Sequence, residues 1–194
     1  MLRKPVVFSR TIVHLGNIGS RKAGPLAEKT RRKTKKCRAY KFVGIDLKKP
    51  PLLLRRRKNY EHILADFKSG LERLQDNSVS EISSEIALGQ FGEKGAYIYE
   101  HEYGTQRRAQ RIAEIQKYTA EVLRLAYAKL KPGGKIKIIA VAAEPQEVIV
   151  KALAETPFGK KRITSRILKF PKEYRLTPST SRGCAAKAII IARK

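Results

Sequence analysis

The chain has 194 residues, 42% hydrophobic and 31% charged, which suits one folded domain with its own core and argues against a disordered chain. Its net charge is +26, from 43 Lys and Arg against 17 Asp and Glu. No apolar run nears the roughly 20 residues of a membrane-spanning helix. Charges interrupt the short apolar run of MLRKPVVFSRTIVHLG, which argues against a secretory signal. Cys37 and Cys184 stand alone, outside any CxxC pair or metal-ligand spacing, and read as free thiols of a reducing, cytoplasmic compartment.

Taken in order, the chain alternates strand and helix signals. TIVHL (11–15) reads as a strand that closes in the turn GNIGS. KAGPLAEKTRRKTKK (22–36) reads as a helix with Pro25 in its first turn, where proline is tolerated. YKFVGIDL (40–47) is a second strand, stopped by KKPP. LLLRRRKN makes a short crossing to a third strand, YEHILADF (60–67). SGLERLQDN (69–77) fits a short helix, and SVSEISSEIAL (78–88) carries a fourth strand.

The strongest helix follows, from Gln106 to Leu130. Ala109, Ile112, Thr119, Val122, Leu123, Ala126 and Leu130 form its apolar stripe. KPGG (131–134) ends it, as Pro and Gly do. KIKIIAVA (135–142) is a buried strand and EPQEVIVKALAE (144–155) a helix. RITSRILKF (162–170) and AAKAIIIARK (185–194) are two more strands with no helix between them, so an antiparallel pair at one edge is expected. The alternation predicts an α/β fold with a mostly parallel seven-stranded sheet and helices on both faces. The whole chain, 1–194, reads as one domain with a basic segment over about residues 1–58.

Charge is unevenly placed. Residues 1–58 hold 19 Lys and Arg against 2 acids, residues 59–102 hold 3 against 9, and residues 103–194 hold 21 against 6. Such an excess is self-repulsive unless a polyanion neutralises it. Nucleic acid is the favoured partner, because displacing counterions from phosphates rewards clustered cations. An anionic membrane is the weaker choice, since no basic amphipathic helix with a bulky aromatic face stands out. The candidate RNA contacts are Arg31, Arg32, Lys33, Lys35, Lys36 and Arg38, then Arg55, Arg56, Arg57 and Lys58. Arg107, Arg108 and Arg111 open the long helix, where positive charge opposes its dipole; Lys160, Lys161 and Arg162 precede the sixth strand. Basic groups spread over several elements suit a large folded RNA, ribosomal RNA above all. No helix-turn-helix or zinc finger is legible. Tyr97, Tyr99 and Tyr103 could stack on unpaired bases, though packing explains them equally well.

Seven strands in this rhythm, with AYAKLKPGGKIKIIAV (126–141) and DNSVSEISSEIALG (76–89), resemble the class I S-adenosylmethionine-dependent methyltransferases, with their Rossmann-like sheet. The resemblance runs over nearly all of the chain from Thr11 onward. It implies S-adenosylmethionine as cofactor and no metal. It implies Asp46, at the end of FVGID, as the acid that holds the ribose hydroxyls, and Asp66 as the residue facing the adenine; each alternatively caps the turn after its strand. In the first turn it implies a glycine-rich cradle made by Gly16 and Gly19.

That cradle is degenerate. His14 stands where the family has an acid, and Ile18 where it has a glycine. A β-branched residue resists positive φ, and its side chain takes space the ligand needs. The Asn/Asp-Pro-Pro-aromatic tetrapeptide that many nucleic-acid methyltransferases of the family carry after the fourth strand is absent from SEIALGQFG (84–92). Glu85 is the nearby candidate base, with a solvated or structural glutamate as its alternative. No GxSxG elbow supports a hydrolase, and the turn is too poor for a dinucleotide oxidoreductase. The leading expectation is an RNA-binding protein of methyltransferase shape, with methyl transfer weak or lost. An active rRNA or tRNA methyltransferase is the alternative.

Overall fold

A computed structural model describes residues 8–16, 32–37, 39–50, 52–85, 88–89, 105–140, 143–159, 163–168 and 187–194. The strands are β1 (Arg10–Leu15), β2 (Tyr40–Asp46), β3 (Tyr60–Leu64), β4 (Val79–Glu85), β5 (Leu130–Ala140), β6 (Ile163–Leu168) and β7 (Lys187–Arg193). The helices are α1 (residues 32–36), α2 (Leu52–Arg55), α3 (Phe67–Glu72), α4 (Thr105–Lys129) and α5 (Ala143–Ala154).

All seven strands join one sheet in the order β3-β2-β1-β4-β5-β7-β6. Neighbours from β3 through to β5 are parallel. β7 runs antiparallel to both β5 and β6. The expected antiparallel pair is therefore present, with β6 on the rim and β7 inserted beside β5. The α/β fold expected from the sequence is the one observed.

Side-chain alternation sends each strand's residues to two faces. Val13, Leu15, Val43, Ile45 and Ile63 join one large core with Leu71 of α3, Val122, Leu123 and Ala126 of α4, and Ile149 and Leu153 of α5. Ile12, Phe42 and Tyr60 face the other way and pack with Leu54 of α2. Both faces of β1 and β2 are thus apolar, which is why these strands read as nearly continuous hydrophobic runs. At about 1.5–3 kcal/mol for each fully buried aliphatic side chain, these two clusters are the main force that assembles the sheet.

Among the departures from the sequence reading, which also shift the helix expected at 69–77 to Phe67–Glu72, three bear on the architecture. β3 ends at Leu64 rather than Phe67, because Asp66 turns the chain into α3 as its N-cap. Ala109 is exposed and the buried stripe of α4 begins at Ile115, with Tyr118 also buried. The third difference is at KPGG. Leu130 pairs with Val79 and Lys135 with Glu81, so residues 131–134 bulge out of β5 instead of forming a turn ahead of it. Gly133, at φ 74°, makes that bulge affordable to the backbone.

Helix α4 has 25 residues, or about 37 Å at 1.5 Å per residue. Strands β1 to β4 have five to seven residues, or about 17–23 Å. At the start of α4, Arg107 and Arg108 are exposed.

Candidate functional site

In an open α/β sheet, ligands sit beyond the carboxyl ends of the strands where the strand order reverses. Here β1 is flanked by β2 on one side and β4 on the other, so the reversal lies between β1 and β4. Three of the four expected cofactor contacts fall within the described residues, and all three lie along that edge. Gly16 follows β1 directly and takes φ 73°, a conformation that a residue with a Cβ adopts at a cost. Its N–H donates to the Ile45 carbonyl at 2.8 Å, so the turn starts while still tied to β2. Gly19 and Ile18 lie outside the described residues.

Asp46 ends β2 beside that turn. Its Oδ1 accepts from the Lys48 N–H at 3.1 Å, a local turn contact. Asp66 lies two residues past β3. Its Oδ1 accepts from the Lys68 and Ser69 amides at 2.9 and 3.1 Å, and its Oδ2 accepts from the Ser69 hydroxyl at 2.7 Å. Burial alone would push this carboxyl up, but the Ser69 hydroxyl and the two amides outweigh it and hold it below the usual value. The observed role of Asp66 is to cap α3. Strands lie about 4.8 Å apart, so the line from Gly16 past Asp46 to Leu64 spans about 10 Å.

The sequence reading missed two neighbours of these carboxylates. Leu47 is 62% exposed and Leu64 50% exposed. Apolar side chains left open beside polar groups suit a flat, partly apolar ligand. Their signal in the sequence was an ordinary strand pattern, indistinguishable from core.

His14, in the family's acid position, is completely buried inside the sheet. It pairs across with Gly44 of β2 and Ser83 of β4. Gly44 has no side chain, which leaves room for imidazoles on both sides, since His62 of β3 lies in the same row. A hydrogen bond of 2.8 Å joins His14 Nδ1 to Ser83 Oγ, and that hydroxyl donates to the Val13 carbonyl at 3.3 Å. Glu85 ends β4 only 1% exposed; of its two expected alternatives, a solvated glutamate is removed. Burial lowers the His62 pKa below its ordinary value, partly opposed by Asp46. Burial, and then Asp46, push the Tyr60 hydroxyl well up.

The expected RNA contacts separate into groups. At the opposite edge of the sheet, where β2 and β3 begin, α1 and residues 55–58 come together. The Arg57 guanidinium donates to the Thr34 hydroxyl. The Asn59 amide donates to the carbonyls of Thr34, Cys37 and Tyr40 at 3.2, 3.3 and 3.2 Å. This unites Arg32, Lys33, Lys35 and Lys36 with Arg55, Arg56, Arg57 and Lys58. Arg107, Arg108 and Arg111 lie apart, on the first two turns of α4. Arg111 pairs with Glu114 at 3.0 Å, which relieves part of its conflict with the helix dipole. Arg31, Arg38, Lys160, Lys161 and Arg162 lie outside the described residues, as do Cys184 and the three tyrosines at 97, 99 and 103. Cys37 is a free thiol.

Among the described residues no group of three His, Cys, Asp or Glu is placed to hold a metal. Nor is any helix among them long and apolar enough to cross a membrane.

No protein-family model and no curated protein matches the sequence, whereas solved structures match its fold. A candidate rRNA methylase from Clostridium thermocellum superposes with a TM-score of 0.56 at 13% identity, over 97% of this chain and 91% of that one. The 16S rRNA methyltransferase KamB gives 0.54 at 14% identity, over 96% and 88%. A 1,6-didemethyltoxoflavin-N1-methyltransferase from Burkholderia thailandensis, solved with S-adenosylhomocysteine, gives 0.54 at 11% identity, over 96% and 72%. The chain has the Rossmann-like fold of the class I S-adenosylmethionine-dependent methyltransferases.

Proposed function

We propose that this is a cytoplasmic RNA-binding protein built on a methyltransferase fold, attached to ribosomal or other structured RNA, with methyl transfer weak or lost. The observation that carries the reading is the net charge of +26, part of which the fold gathers at the strand-entry edge of β2 and β3. Among the described residues, no carboxylate forms an ion pair with Lys33, Lys35, Lys36, Arg56 or Lys58, whereas Lys41, Lys68, Lys129 and Lys137 each pair with one. Two of the similar structures, the Clostridium protein and KamB, carry rRNA methylation in their names.

The cofactor edge fits S-adenosylmethionine in part. Gly16 lets backbone approach a ligand, and Asp46 stands where a ribose would be held. Bound there, the cofactor would supply an electrophilic methyl group on its sulfonium. Against full function, a buried histidine already bonded to Ser83 replaces the acid that would orient the cationic end of the cofactor. Retention of Gly16 at positive φ beside Asp46 favours the second reading, an active rRNA or tRNA methyltransferase.

Calorimetric titration with S-adenosylmethionine and S-adenosylhomocysteine separates the two, with Asp46→Ala as control. No heat, together with RNA binding at near-physiological salt, is the expected result. Micromolar binding that Asp46→Ala abolishes, followed by transfer of labelled methyl groups to RNA, would establish the enzyme instead.

A further inference from the structure

We infer that RNA docks on the strand-entry edge of β2 and β3, about 20 Å from the cofactor edge at the far end of the strands. This rests on the RNA-binding reading above and specifies its surface. In the sequence, the basic clusters at 31–38 and 55–58 are separate. In the fold their described residues, 32–37 and 55–58, form one platform, because Asn59 and Arg57 tie both segments together at the entry to the sheet. The platform is anchored to the strands themselves: the Tyr40 N–H donates to Cys37 O at 3.1 Å, the Tyr60 N–H to Arg57 O at 3.1 Å and the Phe42 N–H to Asn59 O at 2.8 Å. Lys35, Lys36, Arg56 and Lys58 are exposed on it, and no ion pair with a described carboxylate occupies them.

Two features assign this surface to a phosphate backbone rather than to a lipid headgroup layer. Its cations come from a helix and a turn held rigidly together, which presents a fixed charge spacing to a folded polyanion and lowers the ordering cost of binding. Of the large apolar side chains exposed among the described residues, Leu47, Leu64 and Val150 lie off the platform and Leu52 alone borders it, one turn before Arg56, too little apolar surface to anchor in a bilayer. Docking here leaves Gly16 and Asp46 uncovered. RNA attachment and occupancy of the cofactor edge are then independent events.

The experiment measures binding of the whole chain to unfractionated tRNA, to total ribosomal RNA and to phosphatidylserine vesicles across a KCl series. Three proteins are compared. The first is wild type; the second is Lys35→Ala/Arg56→Ala/Lys58→Ala; the third is Lys117→Ala/Arg124→Ala/Lys151→Ala, which removes equal charge from α4 and α5. The platform variant should bind RNA at least about tenfold more weakly at ~150 mM salt, with the slope of log K against log[KCl] reduced by about 2. The α4/α5 variant should stay within about threefold. Lys35→Arg/Arg56→Lys/Lys58→Arg should bind as wild type, which separates lost charge from lost folding. Wild-type affinity in the platform variant would overturn the assigned surface and leave the RNA-binding reading standing. A wild-type protein that binds neither RNA, or only the vesicles, would overturn both.

Discussion

Asp66 shows how one residue can satisfy a local demand where a distant one was expected. Its carboxylate accepts three hydrogen bonds from the first turn of α3. Asp66→Ala should cost about 0.5–2 kcal/mol, measurable by urea denaturation. The pH dependence follows from its lowered pKa. The unfolded chain takes up this proton first, near the ordinary carboxylate value of 3.8. The contribution is therefore complete above that value and is lost as pH falls through the lower, folded value. Asp66→Asn, which still caps, should flatten this acid limb of the stability profile. His62 carries the same sign at higher pH: its folded pKa lies below 6.5, so its contribution is present above 6.5 and fades as pH drops through the folded value. A third residue gives a test of opposite direction. The Thr119 hydroxyl is buried in α4 with no hydrogen-bond partner among the described residues. Thr119→Val replaces it with a methyl of the same shape and should raise stability by about 1 kcal/mol.

At the scale of elements, close approach decides what the sequence can vary. A Cβ on Gly70 would lie 2.3 Å from Ile45 Cγ2, because α3 is pressed onto β2. Gly70→Ala gains helix propensity but must push the helix off the strand, and the overpacking should dominate, with a net loss of about 1–3 kcal/mol in a denaturant titration. Asn59 is the equivalent constraint on the opposite edge. Its one amide group serves three carbonyls, those of Thr34, Cys37 and Tyr40, and so ties α1 and the start of β2 to the entry of β3. Asn59→Ala should destabilise the protein by about 1–3 kcal/mol and make the Cys37 and Tyr40 amides exchange faster with solvent. In the sequence, RRRKNY shows only a turn-forming asparagine after a basic run. Its partners lie 19 to 25 positions away, and nothing in local pattern encodes that reach.

The whole molecule divides its tasks between the two edges of a single sheet. The ends of β1, β2 and β3 carry Gly16, Asp46, Asp66 and two open leucines. The entries to β2 and β3 carry the joined basic platform, and the start of α4 carries a separate group of arginines. A protein of this kind should bind folded RNA with a steep salt dependence, losing affinity as KCl rises from 50 to 200 mM. Because the two edges are separated by the strands, saturating S-adenosylhomocysteine should change that affinity by less than about twofold. Filter binding with and without the nucleoside would read this directly.

Much of this was legible in the residues. Periodicities of 2 and 3.6 determined the order of strands and helices, since side-chain alternation and helical spacing are local consequences of backbone geometry. Composition determined the basic character, and the absence of a helical pattern in the sequence between the last two strands pointed to their antiparallel pairing. The tertiary structure alone decided the rest. It placed β7 between β5 and β6, turned KPGG into a bulge because Leu130 already pairs with Val79, and buried His14 against Ser83 beside the space left by Gly44. It also brought residues 32–36 and 55–58 onto one surface, opposite the edge where a cofactor would lie. Each of these depends on a contact between segments far apart in the chain, whose choice is made by the packing of the whole sheet and by no single stretch of it.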